Sequence, residues 1–155
     1  MFRGVSTLTL DSKGRMAMPA RYRERLDALS GGQLVVTVSL VDRDEATRPL
    51  WVYTLPEFEE AERKLVSLPT FDRVAHNARS LFVGYAHECE LDSHGRILIP
   101  PKLRDYAGLE REAVLAGMVN KFELWNEARW NRRSEALLGE ALEAALPDAL
   151  ANLSF

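Results

Sequence analysis

Two short stretches of the chain carry residue types suited to recognising an anion: Asp11-Ser12-Lys13-Gly14-Arg15 and Asp92-Ser93-His94-Gly95-Arg96. An arginine offers a planar fork of donors that fits guanine O6 and N7 in the major groove, and fits a phosphate or a carboxylate equally well. Two readings of Arg15 therefore stand. It contacts nucleic acid, or it pairs with Asp11 and locks a turn, as exposed ion pairs close in sequence often do at a gain of only about 0–1 kcal/mol. The readings are compatible, since Asp11 can hold the turn while Arg15 points outward. Gly14 and Gly95 permit positive φ, and an aspartate heading a turn accepts hydrogen bonds from N–H groups two residues on. Asp11, Gly14, Asp92 and Gly95 are thus the turn-stabilising set, with Arg96 as the second copy's counterpart of Arg15.

Around the first stretch, Arg3, Lys13, Arg21 and Arg23 are candidate phosphate contacts, which position a protein on a duplex without reading its sequence. Arg21, Arg23 and Arg25 lie on a short amphipathic helix, where they serve equally as a solvated face or as partners of Glu24 and Asp27 on a neighbour. The net charge of −3 hides an uneven distribution. Residues 1–25 carry six basic side chains against Asp11 and Glu24, whereas residues 134–155 carry Glu135, Glu140, Glu143 and Asp148 and no base. Such asymmetry suits a chain that turns one basic face to an anionic partner; random surface charge is the alternative.

Other chemistries find little support. His87 and Cys89 project from one side of a strand near His94, but a structural zinc site takes four ligands and His76 is the remaining histidine, so neither metal nor cofactor is expected. Trp51, Trp125 and Trp130 could stack on single-stranded bases, yet Trp125 and Trp130 match Tyr53 and Phe58 in the repeat below, as packing residues would. There is no Gly-rich phosphate loop, His-Glu-x-x-His or nucleophile elbow, so no enzyme and no small-molecule substrate are expected. One cysteine allows no intrachain disulfide, and neither a signal peptide nor a membrane span is legible, which points to the cytosol.

The elements that position these stretches come from an internal duplication. Leu10 to Pro19 matches Leu91 to Pro100 in Leu, Asp, Ser, Gly, Arg, an alternating apolar triplet and Pro. The match runs on through Arg21 with Lys102 and Arg23 with Arg104. It resumes where Leu50 to Phe58 aligns with Phe122 to Trp130, the extra residues lying in a polar loop over 41–48. In copy one, Val5–Leu10 and Arg15–Met18 read as a β-hairpin, Pro19 opens a helix to about Leu29, and Gly31-Gly32 ends it. Gln33–Leu40 and Leu50–Thr54 read as strands and Glu57–Ser67 as a helix. Copy two repeats this β-β-α-β-β-α order, and Phe71–Leu81 reads as a connecting helix. The expectation is an α+β fold in one domain over 1–155: repeats at 5–67 and 86–138 joined by a helical connector at 68–85, then a C-terminal tail at 139–155. A lone four-stranded unit would leave a bare apolar face, so the two copies should pair into one pseudo-symmetric, barrel-like core.

The start Met-Phe-Arg-Gly, the twin Leu-Asp-Ser-x-Gly-Arg turns, Arg21-Tyr-Arg-Glu24 and Asn120-Lys-Phe-Glu-Leu-Trp125 together resemble the MraZ family, relatives of the AbrB-like swapped-hairpin DNA-binding proteins. The likeness covers essentially the whole chain. It implies a double-split (swapped-hairpin) β-barrel with peripheral helices and a closed homo-oligomeric ring of about eight subunits. It also implies a transcriptional regulator, cytoplasmic and nucleoid-associated, that binds double-stranded DNA at short direct repeats upstream of the division and cell-wall gene cluster, as a repressor. Two departures separate the copies: Lys13 stands where copy two has His94, and Arg21 where it has Lys102. Lysine is charged at neutral pH and an ordinary histidine mostly is not, which places the DNA contact mainly on copy one. The rival reading is a ring-forming scaffold or protein-interaction module without DNA recognition, which the acidic pI of about 5.7 suits.

Overall fold

The computed structural model describes residues 1–143 and Leu153. Copy one supplies β1 (Phe2–Thr9), β2 (Arg15–Ala17), α1 (Ala20–Ser30), β3 (Gln33–Val38), β4 (Leu50–Thr54) and α2 (Leu55–Val66). After α3 (Arg73–Phe82), copy two supplies β5 (His87–Glu90), β6 (Arg96–Leu98), α4 (Pro101–Ala107), β7 (Glu112–Val119), β8 (Phe122–Asn126) and α5 (Glu127–Glu143). The fold is α+β with antiparallel strands. From residue 144 on, the tail expected at 139–155 lies outside the described residues except for Leu153.

Capping chemistry sets the helix ends. Pro19 and Pro100 stand immediately before α1 and α4, and Gly31 and Gly108 end these helices in the left-handed region at φ 62° and 61°. Asp72 caps α3 by accepting the N–H groups of Val74 and Ala75.

The expected hairpin of Val5–Leu10 with Arg15–Met18 does not form as a strand pair. β1 pairs with β7, β2 pairs with β6, and a single bridge from Leu10 to Met16 joins the two arms of the turn. The cause is burial: Met16 and Ile97, opposite each other at the centre of the β2–β6 ribbon, are 0 % and 1 % exposed. Crossing to the other copy puts both inward while Arg15, Ala17, Arg96 and Leu98 face out. Past the strands, Met18 N–H donates to Gly95 and Ile99 N–H to Gly14, both at 2.9 Å, so the exchange continues into both turns.

The remaining strands form one sheet in the order β1-β7-β8-β4-β3-β5. Replacing each strand by its counterpart in the other copy reverses that order and leaves it otherwise unchanged. The pseudo-two-fold axis therefore passes between β4 and β8, where Trp51 sits opposite Glu123, its own counterpart position. The barrel is not closed by hydrogen bonding, because β1 and β5 are the two ends of an open sheet. Its inner face is covered instead by the ribbon and by α1 and α4, through Met16, Met18, Ile97, Ile99, Tyr22, Leu26 and Leu103.

The outer face is buried too, which is why β4 is buried at every position. Trp51, Tyr53 and Val35 pack with Phe58 of α2 and Phe82 of α3. At the axis, the two carboxylate oxygens of Glu123 accept the indole N–H groups of Trp51 and Trp125, both at 3.2 Å, so the buried carboxylate keeps partners. β1 starts at Phe2, earlier than the Val5 expected, because Phe2 is inward and packs on Tyr22 and Phe122.

The ribbon's burial leads to a stability test. Met16→Ala should cost about 2–5 kcal/mol, read as a lower urea midpoint with unchanged slope, while Ala17→Ser on the outer face should stay within about 0.5 kcal/mol of the parent.

Candidate nucleic-acid interface

The two turns are built alike, atom by atom. One oxygen of Asp11 accepts the N–H groups of Lys13 and Arg15, each at 2.9 Å, and the other accepts Arg15 Nε at 2.7 Å. One oxygen of Asp92 accepts the N–H groups of His94 (2.8 Å) and Arg96 (2.9 Å), and the other accepts Arg96 Nε at 3.0 Å. Both loops close through backbone bonds from Gly14 to Asp11 and from Gly95 to Asp92. Gly14 at φ 83° and Gly95 at φ 72° hold a conformation that a β-carbon would strain.

Each aspartate thus fixes its arginine by the Nε edge. The terminal amino groups of Arg15 and Arg96 have no hydrogen-bond partner among the described residues, and the two side chains are 32% and 31% exposed, an arrangement that leaves donors for a base edge or a phosphate. Because Arg15 is opposite Leu98 in the ribbon, Arg15 and Arg96 are diagonal neighbours on one outer face, about 7–8 Å apart. They line one shallow groove together with Asp11, Ser12, Arg104, Glu110 and Arg111.

The other expected cations divide by position. Lys13 is exposed in the first turn, beside Arg15. Arg3 is at the far end of β1, about 26 Å from Asp11 at a strand's rise per residue, so it does not share the turn's surface. Arg21 donates to Ser6 Oγ at 2.7 Å and lies over the Tyr22 ring, against the middle of β1. Arg23 is half-buried: its Nε donates to Met18 carbonyl oxygen at 2.8 Å, and its side chain runs under Gly95, where a β-carbon would come within 2.5 Å of that nitrogen.

Arg104 repeats that arrangement in the opposite sense. Its Nε donates to Ile99 carbonyl oxygen at 2.9 Å, and it runs under Gly14 at the same 2.5 Å. Each turn therefore rests on an arginine from the other copy's helix. The repeat alignment of Arg23 with Arg104 carried a signal for this pair, though not its cross-copy sense. Arg111 carried none, because only folding brings the α4–β7 loop to the first turn: Leu10 N–H donates to Arg111 carbonyl oxygen at 2.8 Å. Cys89, packed against the inner core, has its thiol pushed up to about 11 by burial, which leaves it protonated at neutral pH.

The amide and side-chain hydrogen bonds from Arg15, with the Lys13 amide and the arginine's charge, lower Asp11 to about 2, against an opposing desolvation effect. Asp92 is lowered by the corresponding bonds from Arg96 and His94. Since the folded value lies below the ordinary 3.8, the turn's contribution to stability is complete above that value and is lost as pH falls through about 2. A carboxyl carbon NMR titration should place Asp11 near 2, and Arg15→Ala, which keeps the backbone amides, should raise it only part of the way toward 3.8; an Asp11 titrating at 3.8 in the parent protein would refute the turn's hydrogen-bond pattern.

Comparison with known proteins bears on the whole chain. The family profile "MraZ protein, putative antitoxin-like" matches residues 1–80 and 82–152. A protein of Thioalkalivibrio sulfidiphilus called "Transcriptional regulator MraZ" is 52% identical over 97% of this chain and 96% of its own length. Relatives of the same name are 47% identical in Halorhodospira halophila and 46% in Pseudomonas aeruginosa, each covering 99% of both chains. With both halves matched by one profile and full-length relatives near half identity, the chain belongs to the MraZ family.

Proposed function

We propose that this chain is a sequence-specific DNA-binding transcription regulator. It acts in the cytoplasm on the nucleoid and represses the division and cell-wall gene cluster by binding short direct repeats upstream of its own operon. The observation that carries this reading is the pair of aspartate-anchored arginines on one outer face of the ribbon, with their terminal amino groups unpaired among the described residues. Fixed arginines serve base readout better than mobile ones, because less conformational freedom is lost on binding. The names of the full-length relatives support the regulatory role.

We assign the fold to the double-split, swapped-hairpin class, one domain of two interlocked repeats; the ribbon exchange and the two-fold strand order support that assignment. Arg15 is the principal DNA contact and Lys13 sits beside it, with Arg96 as the second copy's contribution. Arg21 and Arg3 serve the phosphate backbone away from the turn, and Arg23 acts mainly by holding the second turn.

One turn of this size cannot cover the roughly 1,000 Å² or more of a specific protein–DNA interface. Several protomers must engage together, and a closed ring of about eight would present the turns along a rim to a row of repeats, each contact raising the effective concentration of the next.

Mobility shift on the DNA upstream of its own gene, run beside native mass measurement, tests the reading. Arg15→Ala should keep its assembly and lose at least about tenfold in affinity, and the parent's affinity should fall steeply with salt as phosphate contacts release counterions. Normal DNA binding by an assembled Arg15→Ala protein would refute the mechanism, and an assembled parent without DNA binding would favour the scaffold reading.

A further inference from the structure

We infer that the DNA site at the first turn is composite: Arg104 and Arg111, both from the second copy, complete it as phosphate contacts. This rests on the DNA-binding reading above and adds residues to it. Arg104 reaches the turn from α4, lying under Gly14, and Arg111 reaches it from the α4–β7 loop; both line the groove that holds Arg15 and Arg96. Arg104 uses Nε on the Ile99 carbonyl oxygen, and among the described residues no carboxylate lies within ion-pair distance of it. Arg111 is 83% exposed and makes only a loose 3.6 Å pair with Glu112.

The second turn has the bracing arginine but not the rest. Leu91 N–H donates to the Gly32 carbonyl oxygen as Leu10 N–H does to that of Arg111, so Gly32 is the counterpart of Arg111 and brings no charge. The strands leading into the turns differ as well. Exposed Thr7 and Thr9 in β1 correspond to exposed Glu88 and Glu90 in β5, which would repel a phosphate. Thr9 is opposite Glu112 and Glu90 is opposite Gln33, so those two pairs carry equal charge, and Glu110 adds one negative charge to the first groove. With Lys13 against His94, Arg111 against Gly32 and Thr7 against Glu88, the balance still favours an anion at the first turn. Both turns have the same hydrogen-bonded geometry, so the difference lies in the field around them.

The test is DNA affinity as a function of salt for the full-length protein on the duplex upstream of its own gene. Arg111→Gln should weaken binding about tenfold and flatten the salt slope by about one contact per engaged protomer. Glu112→Gln, which frees Arg111, should tighten binding. Arg63→Gln, an equal charge change at an exposed site on α2, is the reference; if Arg111→Gln weakens binding no more than this variant, the composite site is wrong. For Arg104, Lys should retain affinity within about threefold and Gln should lose about tenfold; equal losses would show that it serves only to hold the turn. Loss of binding in Arg15→Ala with no specific effect at 104 or 111 overturns this inference alone, whereas a parent that binds no DNA overturns the reading beneath it.

Discussion

The pairing of β2 with β6 is the constraint on which the rest of the structure depends. Each strand is three residues long, too short to hold a register by its own ladder. Register comes from Met16 and Ile97, which must both face the core, and from the bonds that carry the ladder into Gly14 and Gly95. Once that ribbon is formed, both arginines face outward and both turns are held by the opposite copy. Neither copy has a complete turn support alone, since the arginine beneath each turn is donated across the exchange.

That exchange also explains how a chain with an acidic balance can present a basic surface. The cations at the first turn come from three separated segments: Lys13 and Arg15, then Arg96, then Arg104 and Arg111. Two of their carboxylate neighbours are occupied in holding geometry, while Glu110 and Glu112 stand at the groove's edge. Asp11 and Asp92 accept three hydrogen bonds each and stay ionised well below ordinary pH, so they orient the guanidiniums and leave the outer donors exposed. An anion approaching the ribbon meets donors already fixed in place, which lowers the entropy lost on binding.

Symmetry in the fold does not carry over to charge. At the axis the departure is Trp51 against Glu123, where two identical residues would otherwise meet face to face. An indole N–H satisfying a carboxylate makes the buried pair complementary, and Trp125 takes the second oxygen. At the turns the departure is Lys13 against His94, Arg111 against Gly32 and Thr7 against Glu88. Duplication supplied a scaffold whose geometry is equal on both sides, and side-chain choice then distinguished the sides.

By itself, the sequence determined the local chemistry of this protein: the twin turns, their aspartate anchors and glycines, the proline and glycine ends of α1 and α4, the strand and helix order, and the long loop over 41–48. These follow from short-range rules of φ, capping and alternation, which act within a few residues and are written in the residue types. Only the tertiary structure decided which strands pair. Leu10 and Met16 sit at a turn that reads as a hairpin, and nothing local distinguishes pairing within a copy from pairing between copies. The choice belongs to the burial of Met16 and Ile97 in a core that both copies share. For the same reason Arg23 is half-buried beneath the opposite turn and not on a free helix face, and Arg111, unremarkable in its loop, stands beside Arg15: contacts across about 90 residues depend on the summed packing of the whole core, which no local pattern encodes.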